Sequence, residues 1–485
     1  MSDLPAIAGF HPDPSICRVG DEYVLVTSSF EYAPGVPIFT SRDLVDWQQL
    51  GNVLDRPSQL NVRPGIGGAN GGIYAPTVRH HDGRLWMTTT NQHDVARGHL
   101  IVHASDPAGP WSEPVYTTGL IGIDPDLVWG HDGVCRLTWS DVVNGGISQA
   151  EINPETGEVL SSPKEIWRGS GGAHAEGPHV FARGDWWYLL AAEGGTAAGH
   201  MVTIARSASI DGPYESAPDN PILSHRSTSL AVQATGHADI VELVDGQWAM
   251  VHLGIRQRGS FPRWHTNGRE TFVVGLDWVD DWPMVDEDRF AVPSVRRDFS
   301  DEFATTPLHP RWISPGAHPA NFAEPGPGGL RLRAGRQSDH RESSKLLAVR
   351  ATDFEWEAAV TAVGDIALVV RIDDAHQATV ERVGDTFSAR VIIGPLDQVL
   401  GSISAPRGSR PAVRAVPFGG ERGQRQGPDR ILLGYDADGD FVEIAAIDGR
   451  YLSTEVAGGF TGRVIGVEAI GADATVTRFD YRTVS

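Results

Sequence analysis

The sequence predicts an all-β chain: a five-bladed β-propeller followed by a β-sandwich. Three observations lead there. A hairpin-like motif returns five times through the first 285 or so residues. Its copies begin at Asp13, Ala75, Asp124, Glu176 and His237, which are 62, 49, 52 and 61 residues apart. About fifty to sixty residues per repeat suits one four-stranded propeller blade. Beyond about Arg297 the repeat stops, short alternating strands replace it, and no long helical periodicity follows.

The first copy, FHPDPSICRVGDEYVLV from Phe10, sets an Asp between two prolines, then an apolar run, a Gly-Asp turn and a second apolar run. The others are YAPTVRHHDGRLWMTTTN from Tyr74, IDPDLVWGHDGVCRLTWS from Ile123, AEGPHVFARGDWWYLLAAEGG from Ala175 and GHADIVELVDGQWAMVHLGI from Gly236. Two β-branched or aromatic runs around a Gly- or Asp-bearing turn read as a hairpin. MVTIARS from Met201 and LIVHASD from Leu100 supply further strands. The propeller is expected over residues 4–295, and in copy four Glu176 stands one residue out of register. Trp86, Trp186 and Trp187 fall on second strands and read as core.

After LDWVDDWPMV comes a charged, Pro-bearing linker and then a β-sandwich over residues 296–485. GLRLRAG, FEWEAAVTAV, IALVVRI, ATVERVG and RVIGVEAI are its strand candidates. PRGSRPAVRAVPFGGERGQRQGPDR reads as a mobile surface loop. DADGD from Asp436 resembles a calcium loop but has Phe441 and Ile447 where such a loop needs Gly and Glu, so it is a hairpin turn.

Composition narrows the partners. The chain carries 40 basic and 62 acidic side chains, a net charge of −22. That field repels nucleic-acid phosphates and anionic lipids and is indifferent to a neutral ligand. No apolar stretch is long enough to span a bilayer, and the N-terminus lacks the pattern of a signal peptide. Cys17 and Cys135 lie in apolar runs and read as buried free thiols of a cytoplasmic protein.

In a propeller the first strand of each blade lines the axis, so the five starting positions should converge at one end. Three of them are acids: Asp13, Asp124 and Glu176. Clustered carboxylates repel and are costly to desolvate, so packing alone gives no reason to gather them. Each taken singly could still be a turn-capping or solvated acid. Two carboxyls flanking a sugar are the equipment for glycosidic cleavage, and a third can tune the proton donor. His237 takes the fifth position, as a structural group or as a neutral imidazole on the axis. Arg269 could meet an acid or a sugar hydroxyl, or serve an ordinary salt bridge. Phe30 and Tyr74 flank these positions, where aromatics can stack on sugar faces or pack the core.

FHPDPSI, GGIYAPTVR, IDPDLVW, AEGPHVF, QATGHADIVE and NGRETF resemble the motifs of glycoside hydrolase family 43. The stretch Val36 to Leu60 resembles its β-xylosidase/α-L-arabinofuranosidase branch, and LSTEVAGGFTGRVIGVEA carries a thinner likeness into the second domain. The resemblance implies an inverting enzyme with Asp13 as general base, Asp124 as pKa modulator and Glu176 as general acid. It implies that Arg269 contacts substrate and modulator, and that Phe30, Tyr74 and His237 line the substrate pocket. It also implies that a sandwich loop closes a single-sugar pocket. No cofactor is required, although some members hold calcium near the position of His237.

The expectation is therefore a cytoplasmic exo-glycosidase releasing xylose from the non-reducing end of β-1,4-xylooligosaccharides. α-L-Arabinofuranosidase or dual activity is the alternative. The partner is a small oligosaccharide, with no nucleic acid and no membrane, and a homo-oligomer is left open. A non-catalytic glycan-binding propeller fits poorly with three acids. A fructan-cleaving propeller of the invertase type would want Asn-Asp-Pro and Glu-Cys, where this chain has His-Pro-Asp-Pro and Glu176-Gly177.

Overall fold

The computed structural model describes residues 3–63, 65, 68–335, 345–419 and 426–484. Five antiparallel sheets fill its first part, each opening on a strand that contains a motif start or closely follows it: Ser15–Val19, Thr77–His81, Ile123–Trp129, Glu176–Arg183 and Val232–Glu242. Turn chemistry sets the hairpins. Asp82 and Gly83 both have positive φ (49° and 72°) between the paired residues His81 and Arg84. That is the backbone a two-residue hairpin loop needs.

The sheets close into a ring because every interface between neighbours is apolar. Val24, Val26 and Ile38 of blade one meet Val78, Leu85 and Met87 of blade two. At the closing seam Ile16 and Leu25 meet Val251 and Val273 of blade five. Trp86 and Trp187 are buried in two of these layers. Trp186 is only half-buried at the edge of a third, with the Arg206 guanidinium 4.4 Å above its ring.

Polar groups lock the axis. Asp239 accepts from Ser15 Oγ at 2.7 Å and from Ile16 N at 3.0 Å. Arg79 lies 2.7 Å from Asp239 and 2.8 Å from Asp126, and its Nη2 is 2.9 Å from His179 Nδ1. Each blade contributes one of these five side chains. Buried charges survive only when paired and hydrogen-bonded, so the cluster fixes how the five blades meet.

The last propeller strand ends at Asp286 and the first strand of the second unit is Phe299–Asp301. Two antiparallel sheets, of eight and six strands, pack around Trp356, Phe387, Phe479 and Tyr481. The arginine-rich segment differs from expectation. Arg410–Val416 is an inner strand of the larger sheet, with Ala412, Val413 and Ala415 buried. Its arginines are absorbed by pairing: Arg410 with Asp436 and Asp480, Arg414 with Glu357. Residues 420–425 of that segment lie outside the described residues. Asp436–Asp440 forms the expected hairpin turn.

The two units share a seam. Tyr32–Ala33 pairs with Ser314–Pro315. Glu31 meets Arg371 at 2.8 Å, both fully buried.

Candidate active site

The motif starts gather at one end of the propeller axis around a cavity of about 90 Å³. At about 10–15 Å³ per water, that is room for several waters or one sugar ring. Asp13, Asp124, Glu176, His237, Arg269, Phe30 and Tyr74 all line it.

Backbone strain aims these side chains. Asp13, Asp124 and His237 have positive φ of 56°, 55° and 43°. Left-handed backbone is uncommon in non-glycine residues and persists where the surroundings enforce it. Register shifts open the inner strands just after Ile123, Glu176 and Gly236. A bulge there re-aims side chains toward the axis. In blade four the left-handed position is Gly177, φ 58°. That explains why Glu176 looked out of register: it projects from the residue before. A Cβ on Gly177 would sit 2.8 Å from His237 Nε2, so only glycine fits.

The three acids have different surroundings. Asp13 Oδ2 accepts from the Ser28 hydroxyl at 2.5 Å, and Oδ1 lies 3.5 Å from His237 Nδ1. Asp124 is 6% exposed and accepts from Gly177 N at 3.1 Å. Burial first, then the charges of Glu176 and Asp13, push its carboxyl well above the usual range. Burial first, then the charge of Asp13, lifts Glu176 to about 7, with Arg269 opposing. Asp124 and Glu176 repel one another, so ionising either carboxyl hinders the other. Burial also holds His237 neutral, below its ordinary value despite Asp13.

Arg269 enters the cavity beside the acids. Its Nη2 donates to Thr196 O at 2.9 Å, and its Nε is buried without a partner. Its charge acts on Asp13, Glu176 and Glu455. A guanidinium with a spare buried donor is set to receive a ligand oxygen.

Three aromatic rings wall the cavity. Phe30 and Tyr74 meet edge to face at 5.9 Å. Phe460, from the sandwich, lies 5.7 Å from Phe30 and 6.1 Å from Tyr74, with the Arg269 guanidinium 5.2 Å from its ring centre. Sequence reasoning pointed to a sandwich loop but did not single out Phe460; the GGFTG turn within the resembling segment was the available signal. It also missed Thr196 and His200. His200 Nε2 lies 3.8 Å from Glu176 Oε1.

Among the described residues no group of three or more His, Cys, Asp or Glu is placed to hold a metal ion. Cys17 and Cys135 are buried and unpaired, away from the cavity. Burial pushes the Cys17 thiol up to about 12, so it is inert.

Comparison with known proteins gives a consistent set of likenesses. The family profile described as Glycosyl hydrolases family 43 matches residues 2–283. A non-reducing end α-L-arabinofuranosidase from Bacteroides ovatus is 34% identical, over 98% of this chain and 93% of that protein. A xylosidase/arabinosidase from Butyrivibrio fibrisolvens is 40% identical over 63% of this chain and 61% of its own length. Among solved structures, a xylan β-1,4-xylosidase from Bacillus halodurans superposes with TM-score 0.85 at 29% identity, covering 99% of this chain and 100% of the other.

Proposed function

The chain belongs to glycosyl hydrolase family 43, and from that premise we propose an inverting exo-glycosidase that releases xylose from the non-reducing end of β-1,4-xylooligosaccharides. One observation carries the reading: three carboxyls in unlike environments share a single-sugar cavity whose wall is completed by Phe460 of the second domain. A pocket closed on one side admits a chain end rather than a chain interior.

In this mechanism Glu176 is the general acid. With a carboxyl lifted to about 7, it keeps a large share of its proton near neutrality. Asp13, held by Ser28 and facing His237, is the general base that draws a proton from the attacking water. As water adds to the anomeric carbon, the glycosidic C–O bond breaks, its electron pair goes to the leaving oxygen, and Glu176 protonates that oxygen. Asp124 binds the backbone of Gly177 and so fixes the residue next to the acid. Arg269 and the three aromatics hold the sugar, the rings against its apolar faces and the guanidinium against a hydroxyl.

α-L-Arabinofuranosidase activity is the second reading, favoured by the whole-length likeness to the Bacteroides ovatus enzyme. Leaving-group dependence tests the roles. Glu176→Gln should lose most activity on xylobiose but keep much more on an aryl β-xyloside with an acidic phenol. Asp13→Asn should be poor on both, each loss falling in the ~10²–10⁴-fold range of acid–base catalysis. NMR of the first-formed sugar should show α-xylose. Equal leaving-group dependence in the two variants, or β-xylose formed first, overturns the assignment. The kcat/KM ratio on aryl β-xyloside and aryl α-arabinofuranoside decides between the substrates.

A further inference from the structure

His200 precedes the third strand of blade four, Met201–Ser207, and its ring is 1% exposed. Its Nδ1 lies 3.2 Å from the carbonyl oxygen of Ala234. A carbonyl can only accept, so Nδ1 carries the ring proton. Nε2 is then a bare lone pair. That lone pair is buried, has no hydrogen-bond partner, and lies 3.8 Å from Glu176 Oε1. Unpartnered buried acceptors are uncommon and call for an explanation. The ring cannot back away: a Cβ on Gly236 would sit 2.4 Å from it. Glu176, with a side chain 20% exposed, is the freer partner.

We propose that His200 is a positioning residue for the general acid, its Nε2 accepting a hydrogen bond from the protonated Glu176 carboxyl and holding that proton between turnovers. Ionised Glu176 gains nothing from a lone pair, so the contact favours the acid form. The charged and titratable groups around the pair pull in both directions. Asp13 acts with burial to keep Glu176 protonated and Arg269 opposes, while Asp124 titrates beside it. On the other side, His237, Arg269 and His252 add to burial in keeping His200 neutral, near 3. The imidazole is therefore an acceptor at every working pH and never the acid itself.

The catalytic step follows. The terminal torsion of a glutamate is broad and two-fold, so a half-turn exchanges its oxygens. The carboxyl O–H thus turns from Nε2 toward the leaving oxygen, and its proton transfers there as the C–O bond breaks. Glu176, left as carboxylate, regains a proton from solvent, keeps it, and restores its hydrogen bond to His200 Nε2.

This inference rests on Glu176 being the acid, which the leaving-group comparison tests separately. If that comparison succeeds and the result below fails, only the role of His200 falls. The measurement is the pH profile of kcat/KM on an aryl β-xyloside with a poor leaving group, for wild type, His200→Phe and His200→Gln. His200→Phe keeps the bulk and loses the acceptor, so its alkaline limb should move down by about one pH unit, a tenfold change. His200→Gln keeps an oxygen acceptor and should restore most of the limb. A limb unmoved in folded His200→Phe overturns the proposal. Wild type offers a check that needs no His200 variant. Infrared difference spectra against Glu176→Gln should show the Glu176 carboxyl band of a hydrogen-bond donor, and a band of a free carboxyl also overturns it.

Discussion

Glu176 shows how one side chain can serve catalysis against stability. Its carboxyl is lifted to about 7 in the folded protein, chiefly by burial. A group whose pKa is raised on folding contributes stability that is complete below its unfolded value. That stability is lost as pH rises through the folded value. Wild type should therefore weaken between about pH 4.5 and 7 as the buried carboxyl ionises beside Asp13. Glu176→Gln removes the charge while keeping the shape. Urea denaturation at pH 8 should find it more stable than wild type by on the order of 1–3 kcal/mol, and at pH 4.5 little different. A variant no more stable at pH 8 would mean that the carboxylate is better solvated than its surroundings imply.

Among elements, the sandwich loop that carries Phe460 has two clasps to the propeller. Glu455 accepts from His265 N at 3.0 Å and lies 2.6 Å from its Nδ1. Asn70 Oδ1 accepts from Phe460 N at 2.8 Å. Asn70 belongs to the segment that leads into Tyr74, and Ile73 in that segment exchanges backbone bonds with Phe30. All three aromatics are thus tied through short chain segments. The approach needs glycine at 459, φ 96°, where a Cβ would fall 2.1 Å from Asn70 Oδ1. Asn70→Ala removes one hydrogen bond worth about 1 kcal/mol and loosens one wall of the cavity. Steady-state kinetics should show KM up about fivefold and kcat less affected. Asn70→Asp retains the acceptor oxygen and should recover much of the loss.

At the scale of the whole molecule, the two domains are one enzyme because charge is buried between them. Glu31 and Arg371 are both fully buried, and Glu31 also accepts from Gly65 N at 2.8 Å. Removing Glu31 leaves Arg371 with the part-exposed Asp374 at 3.3 Å, so the cost should approach the ~3–5 kcal/mol of a broken buried pair. Glu31→Leu should lower stability by that amount in denaturant titration. Activity should fall with it, since Glu31 follows Phe30 directly. Replacing Glu31 and Arg371 together by apolar residues should recover part of the loss, which a double-mutant cycle would measure. A Glu31→Leu protein as stable as wild type would show that Asp374 alone compensates Arg371.

The sequence by itself determined what is local. Five hairpin repeats fixed the blades through turn chemistry and β-branched runs, and Pro-Asp-Pro at Asp13 already marked a constrained carboxylate. It misread Arg410–Val416, because an inner strand rich in arginine looks polar until Asp436, Asp480 and Glu357 are seen to neutralise it. Only the tertiary structure decided how the acids differ. Desolvation and the nearness of Asp13 lift Glu176, and both depend on distances that no spacing along the chain encodes. The same holds for Phe460, placed in the wall of a pocket formed by residues hundreds of positions earlier, and for His200, whose Nε2 lone pair is free only because its Nδ1–H donates to Ala234 O.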